Sequence, residues 1–172
     1  MKSTIITVGA LVATLLTFIA AGTLVNVLKS EVHTSAQLGA KVVASLQESS
    51  FAQYEQLFPS LEEFKNLMEE NAHMYGNNLK AAQDDFANDY HTKLVPVLKE
   101  SFDKLQRDGK VKGIDWSVVK YVTTSYQVAK DDPTKASITV VVSSSGKEYQ
   151  ITIQNILVIN GQWRIGQFAK LS

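Results

Sequence analysis

The amino-acid sequence predicts an α+β protein in which N-terminal helices pack on a four-stranded antiparallel meander sheet. Apolar residues recur at intervals of three and four along most of the chain, and they alternate with polar residues from Trp116 onward. A single change from helical to strand periodicity is typical of α+β folds with the helices on one face of the sheet. A long apolar segment precedes this pattern at the N-terminus.

The N-terminal segment, residues 1–28, is predicted to be a signal peptide or a transmembrane anchor. No side chain is charged between Lys2 and Lys29, and the core of a bilayer is spanned by roughly 20 apolar residues. The basic start and the small residues Ala20 and Gly22 favour a cleaved signal peptide. The continuation of the apolar run beyond these small residues favours an anchor instead, so the sequence leaves both alternatives open.

Either alternative places the folded part of the protein outside the cytoplasm, as a periplasmic, extracellular or membrane-anchored domain. Residues 29–35 are short and polar, and they are predicted to be a tether. Residues 36–172 are predicted to form a single α+β domain, which is long enough to bury a core without disulfides. If residues 1–28 remain uncleaved, we expect them to hold this domain at the membrane.

The composition excludes several classes of function. Lys plus Arg and Asp plus Glu both number 17, so the formal net charge is zero. No overall basic field is therefore available to attract nucleic acid, and we expect no nucleic-acid partner. The chain contains no cysteine, which excludes disulfides, thiolate metal sites and a cysteine nucleophile.

The helical part of the chain contains several start and stop signals. A helix is predicted over residues 36–49 from the spacing of its aliphatic side chains. Ser60 and Glu63 form a predicted capping box at the start of a later helix. Pro96 interrupts a long periodic segment and is expected to kink or split that helix, because proline lacks an amide hydrogen. Gly109 is expected to cap the C-terminus of the same helix.

The strand region is divided by turn signals. At Asn155 the alternation gives way to four consecutive apolar residues, which indicates a bulge or burial on both faces. Asn160-Gly161 is the strongest hairpin signal, because both residues accept a positive φ. The predicted strands are residues 116–128, 138–143, 149–159 and 162–168. The predicted turns between them are Asp131–Pro133, Ser144–Gly146 and Asn160-Gly161.

Two segments resemble the NTF2-like superfamily, which has a cystatin-like fold, and in particular its small exported bacterial proteins of unassigned function. They are VVASLQESSFAQYEQLFPS, at the end of the first helix, and INGQWRIGQF, around the last turn. The resemblance covers about residues 36–168 and implies a cone-shaped α+β fold. Members of the superfamily include ketosteroid-isomerase-like enzymes, dehydratases, transport factors and protein-binding modules. The chain departs from the usual order in lacking a clear strand between its first helices, and no position matches the isomerase tyrosine and aspartate.

The sequence assigns no catalytic or metal site, and we expect no cofactor. Asp84, Asp85, Asp89 and His91 crowd one predicted helix, and carboxylates one turn apart suit a metal ion. Acidic residues near the start of a helix are also typical of a solvated face that interacts well with the helix dipole, and we favour this interpretation. The three histidines of the chain lie far apart and share no ligand spacing.

A pocket at the mouth of the sheet is a further possibility, since sheets covered on one side by helices often contain one. Its lining is predicted to include the strand aromatics Trp116, Tyr121, Tyr126 and Trp163. The alternative is that these side chains belong to the core. Asp115 is the only acid next to one of these aromatics in the sequence.

These observations favour an extracytoplasmic, non-enzymatic binding or interaction module for an unknown protein or a small apolar ligand. The alternative is an NTF2-like isomerase or hydrolase that uses an Asp or His base in the sheet cavity. A structural subunit of the cell envelope is a third possibility. An ionisable side chain with a perturbed pKa inside an apolar pocket would favour the enzyme.

The orientation of the domain is directly testable. Protease added to intact cells or spheroplasts should digest residues 36–172, because the apolar segment places them outside the cytoplasm. Mass spectrometry of the mature N-terminus should then distinguish cleavage near Ala21 or Gly22 from an intact anchor. Protection of the domain together with a cytoplasmic marker would contradict the predicted orientation.

Overall fold

A computed structural model of the protein describes residues 31–129 and 136–172, with side chains from Ser35 onward in the first range. The predictions for residues 1–28 and for the Asp131–Pro133 turn lie outside the described residues. Within these two ranges, no helix is both long enough and apolar enough to cross a membrane.

The described part of the chain is an α+β structure, as predicted, with its helices before its strands. Short 3₁₀ turns at Ala72–Met74, Gly76–Asn78 and Trp116–Val118 connect the longer elements. The helices are α1 (Glu31–Gln47), α2 (Phe51–Glu55), α3 (Leu61–Glu70), α4 (Leu79–Asp89) and α5 (Val95–Val111). The strands are β1 (Lys120–Val128), β2 (Ala136–Ser144), β3 (Lys147–Gln154), β4 (Ile156–Ile159), β5 (Gln162–Ile165) and β6 (Lys170–Leu171).

The predicted four-stranded antiparallel sheet is present, in the order β1-β2-β3-β6. The prediction that residues 162–168 supply its fourth strand is wrong, because β5 pairs with β4 in a separate two-stranded sheet. Asn155, with φ +52°, ends β3, and its carbonyl accepts a hydrogen bond of 2.7 Å from the Gly166 amide. This turn directs the following hairpin away from the main sheet, and the short strand β6 takes the place beside β3.

The core lies between the helices and one face of the main sheet. Helix α1 buries Val42, Val43 and Leu46, and β2 buries every second side chain. Tyr54 is completely buried, with its ring 5.3 Å from Phe58 between centroids. This burial raises the pKa of Tyr54 to about 12, against a smaller opposing effect of the nearby Ala169 amide. The helix predicted over residues 36–49 is confirmed, although it begins earlier, at Glu31.

The capping box and the proline break are both confirmed. The Glu63 amide donates to Ser60 Oγ at 3.1 Å, and the Ser60 amide donates to the Glu63 carboxylate at 2.8 Å. Before Pro96 the helical path widens into a π-helical turn over Tyr90–Leu94. The Val95 amide reaches back five residues to the Tyr90 carbonyl, so the long segment is split into α4 and α5 at the point where proline limits the regular ladder.

The prediction that Gly109 caps the long helix is wrong. Helix α5 continues to Val111, and Gly113, with φ +86°, provides the left-handed residue after its end. Gly109 is buried instead beneath the indole of Trp116, where an added Cβ would overlap the ring. The Trp116 indole N–H donates to the Gln106 carbonyl at 3.0 Å. A glycine is therefore required at position 109 by close packing and not by a turn.

Replacing Gly109 with alanine should destabilise the protein, although alanine is favoured over glycine in helices by about 1 kcal/mol. The Cβ overlap with Trp116 should cost more than this, on the order of 1–3 kcal/mol. Thermal unfolding of the full chain in detergent, followed by circular dichroism, measures the change. In a Trp116→Phe background the penalty of Gly109→Ala should shrink, and an equal penalty in both backgrounds would contradict the packing explanation.

Candidate functional site

An open cleft of about 980 Å³ lies between helix α1, the segment around α2, and the β4–β5 hairpin. Its volume is at the upper end of the range of sites that bind small molecules. Its lining mixes buried apolar groups with exposed polar ones. The lining residues are Gln37, Leu38, Lys41, Ala44, Gln53, Glu55, Gln56, Leu57, Phe58, Ser60, Glu63, Tyr90, Gly161, Gln162, Trp163 and Arg164.

The β4–β5 hairpin forms one wall of the cleft. Its turn is Asn160-Gly161, as predicted, with φ values of +52° and +73°. Positive φ at both central residues defines the type I′ turn of two-residue hairpins. In such a hairpin the two residues that flank the turn form backbone hydrogen bonds with each other. The backbone N–H and C=O groups of the next pair point away from the partner strand. The outward-pointing residue of β5 in this pair is Trp163, opposite Val158.

The outer edge of β5 is fastened to the helical layer at one point. The Ile165 amide, which points outward like that of Trp163, donates to the Leu57 carbonyl at 2.8 Å. The register leaves the Trp163 amide and carbonyl pointing away from β4, and within the described residues neither makes a backbone hydrogen bond outside the strand ladders. One backbone amide and one backbone carbonyl of a strand edge are therefore available on the wall of the cleft.

An ion pair across the cleft supports the hairpin from the other side. Arg164 donates from Nε and from a terminal guanidinium nitrogen to the Glu63 carboxylate, at 3.0 and 2.9 Å. Both side chains are largely buried. Partial burial alone would raise the pKa of Glu63, but the Arg164 guanidinium and the Ser60 amide outweigh it and hold that pKa below its ordinary value. The carboxylate therefore remains charged and hydrogen-bonded to Arg164 and to the Ser60 amide.

Buried apolar side chains form the base of the cleft. Leu38, Leu57 and Phe58 are all buried there. The Trp163 indole is also buried and packs edge-on against the Tyr126 ring, with centroids 5.1 Å apart. This apolar base can contact the side chains of a bound molecule.

Tyr90 lies against the same base, and its hydroxyl donates to the Pro59 carbonyl at 3.3 Å. Burial raises the pKa of Tyr90, and the negative charges of Glu55 and Glu63 raise it further. The phenol is therefore neutral at physiological pH and acts as a hydrogen-bond donor.

The rim of the cleft carries side-chain amides from three different elements. Gln37 projects from α1, Gln53 and Gln56 from the α2 segment, and Gln162 from β5, and all four are exposed. Gln53 donates to the Glu48 carboxylate. The other three make no hydrogen bond within the described residues, so their amides can donate to and accept from a ligand.

The charges of the cleft balance. Lys41 and Arg164 are matched by Glu55 and Glu63. Lys41 is exposed and makes no ion pair with any residue that the structure describes. The arrangement suits a ligand without a strong net charge.

Of the four aromatics predicted to line a pocket, Trp163 alone contributes to the cleft. Tyr126 packs behind it, the Tyr121 hydroxyl bonds Thr124 at 3.0 Å, and Trp116 packs on α5. The sequence does not predict that these glutamine amides form a rim. Their only sequence signal is the spacing of Gln53 and Gln56 one turn apart before the capping box, and this spacing does not distinguish a rim from any solvated helix.

The acidic residues predicted as a solvated face do not assemble a metal site. Asp84 and Asp85 are exposed, and Asp89 pairs with Lys93 at 2.7 Å. His91 stacks edge-on against the Tyr90 ring at 5.3 Å. Among the described residues, no group of three His, Asp or Glu side chains lies in position to hold a metal ion.

Asp115, a candidate for the base in a sheet cavity, forms hydrogen bonds within its own turn. Its carboxylate accepts from the Ser117 amide at 3.1 Å and the Ser117 hydroxyl at 2.6 Å, which caps the 3₁₀ turn at Trp116. The residue is exposed and lies away from the cleft.

No family model, no curated protein and no solved structure matches this chain. The resemblance to the NTF2-like superfamily therefore stays a prediction.

Removing the charge of Glu63 tests the ion pair that holds the hairpin. Glu63→Gln keeps the capping box, because glutamine also serves at this position, but should cost about 1–3 kcal/mol of stability at pH 7. The pKa of Glu63 is lowered in the folded protein, so its contribution is present above the ordinary pKa and lost as the pH falls through the folded value.

Melting temperatures at pH 7 and pH 3 measure this effect. The difference between wild type and Glu63→Gln should be large at pH 7 and small at pH 3. Glu62→Gln, which removes an exposed acid from the same first turn of α3, serves as the control and should change little at either pH. Equal effects of the two substitutions at pH 7 would contradict the account of the hairpin.

Proposed function

We propose that this protein is an extracytoplasmic, non-enzymatic binding module, and that its cleft holds an extended segment of a partner polypeptide. The observation that carries the proposal is the backbone edge at Trp163, which faces a cleft rimmed by side-chain amides. An extended peptide adds to such an edge by main-chain hydrogen bonds, in the same way as a further strand.

The position of the edge suits a short segment of chain. A bound peptide would donate to the Trp163 carbonyl and accept from the Trp163 amide. The peptide could not extend this strand pairing past Ile165, because the Ile165 amide already donates to the Leu57 carbonyl. The glutamines on the opposite rim would bond the outer backbone groups of the peptide, and its apolar side chains would contact the base around Leu38 and Phe58.

The chemistry of the lining favours a polypeptide over the small apolar ligand considered from the sequence. A wholly apolar molecule would leave the rim amides without partners, and unsatisfied polar groups weaken a complex. A strongly charged ligand would find no excess of opposite charge, because the charged side chains of the cleft balance each other. A peptide backbone supplies neutral donors and acceptors at regular intervals, which matches both features.

The state of the Glu63 carboxylate also supports binding in preference to catalysis. A general base needs a pKa near the working pH and a free lone pair. The pKa of Glu63 is shifted away from that range, and its carboxylate already bonds Arg164 and the Ser60 amide.

Selection from a random peptide library against the full chain in detergent tests the proposal. Peptides recovered should bind with an affinity that Gln56→Trp lowers at least tenfold, about 1.4 kcal/mol, because the indole fills the cleft. Fluorescence anisotropy with labelled peptides measures the affinity. Gln150→Trp, an equal change at an exposed glutamine of β3 outside the cleft, should leave it unchanged.

Two results would contradict the proposal. One is a library that yields no peptide with a dissociation constant below about 1 mM, the weakest affinity in the usual scale of specific complexes. The other is a set of peptides whose binding is equally sensitive to Gln56→Trp and Gln150→Trp, since they would then bind outside the cleft.

A further inference from the structure

The outer face of the main sheet, opposite the helices, carries a second organised set of polar groups. The strand registers place Ser125, Thr139 and Thr152 side by side across β1, β2 and β3. A second row, two residues along, consists of Gln127, Ser137 and Gln154. We call these two rows the neutral face.

The side chains of the neutral face are accessible and have no partner among the described residues. Each is exposed or half-exposed. None of the six makes a hydrogen bond or an ion pair within the described part of the chain. Neighbouring side chains in a row lie about 4.8 Å apart, and the rows lie about 6.6 Å apart along the strands. The face is therefore a regular array of hydroxyl and carboxamide groups.

The absence of charge distinguishes this face from an ordinary solvated sheet surface. About a quarter to a third of surface residues are normally charged. On the outward positions of these strands the charged side chains are confined to the edge of the array, at Lys120, Glu148 and Lys170. A neutral surface avoids the desolvation of ions when a neutral molecule covers it.

We propose that the neutral face binds a neutral polysaccharide. Hydroxyl and carboxamide groups both donate and accept hydrogen bonds, as the hydroxyl groups of a sugar chain do. The repeated spacing of the array suits a polymer with repeated hydroxyls. This inference concerns a different surface from the peptide cleft and does not rest on it.

Other classes of partner fit the neutral face less well. Nucleic acids and anionic membranes are bound through Lys and Arg, which the array lacks. Two rows of side chains across three strands cover roughly 200 Å², whereas a standard protein interface buries about 800 Å² on each partner. Protein interfaces are also anchored by aromatic side chains or arginine, and the two rows contain neither.

Retention on insoluble polysaccharides tests the proposal with the full chain in a detergent that carries no sugar. The wild type should be retained on cellulose or chitin, which are neutral, and not on cross-linked alginate, which is anionic. Thr139→Lys and Thr152→Asp, which introduce opposite charges into the array, should each reduce retention at least fivefold. Asn66→Lys, at an exposed position of helix α3, adds the same charge as Thr139→Lys and should not reduce retention.

Melting curves of the variants ensure that each one folds. The proposal is overturned if the folded wild type is retained on neither neutral polymer, or if Thr139→Lys and Asn66→Lys behave alike. It is also overturned if light scattering detects a dimer that Thr139→Lys dissociates, because the occupant of the face would then be a second copy of the chain. Retention of wild type on alginate that Thr139→Lys strengthens would indicate simple charge attraction and would likewise contradict it.

Discussion

The hydrogen bond from the Ile165 amide to the Leu57 carbonyl joins the β4–β5 hairpin to the helices, and the rest of the candidate site depends on this junction. The bond is 2.8 Å long and links two segments that are distant in the sequence. The Glu63–Arg164 ion pair supports the same junction through side chains. Together with the side chains of Ile156, Trp163 and Ile165, which are buried in the same core as those of α1, these contacts fix the position of the hairpin and the shape of the cleft.

The junction also explains why the edge of β5 is available at only one place. An exposed strand edge invites pairing with other chains, and proteins usually cover it or keep it short. Here the Ile165 amide is bonded to the Leu57 carbonyl, and the turn at Asn160-Gly161 begins β5 only one residue before Trp163. The short open edge that remains, inside a cleft and bordered by amides, is suited to selective pairing with one segment of a partner.

Much of the fold could be predicted from the sequence because its signals are local. The capping box at Ser60 and the break before Pro96 depend on residues within one or two turns of each other. The Asn160-Gly161 turn depends on the conformational freedom of two adjacent residues. These signals hold whatever surrounds them, and all three are confirmed.

The parts that could not be predicted depend on contacts between distant segments. Gly109 has the sequence context of a helix cap, but the indole of Trp116 determines its role. The last strand has the alternation of a sheet member, but the left-handed turn at Asn155 removes it from the main sheet. The rim glutamines come from three elements, and nothing in their local sequence indicates that they meet. The periodicity and residue spacing of the sequence therefore do not predict the cleft.

The hairpin is docked on the helices at Ile165 while the neighbouring Trp163 edge stays open. Residue-resolved amide hydrogen exchange of the full chain tests it most directly, because hydrogen-bonded amides exchange only when the local structure opens. We expect strong protection of the Ile165 amide and markedly faster exchange of the Trp163 amide. Equal protection of both amides, or a fast-exchanging Ile165, would contradict it.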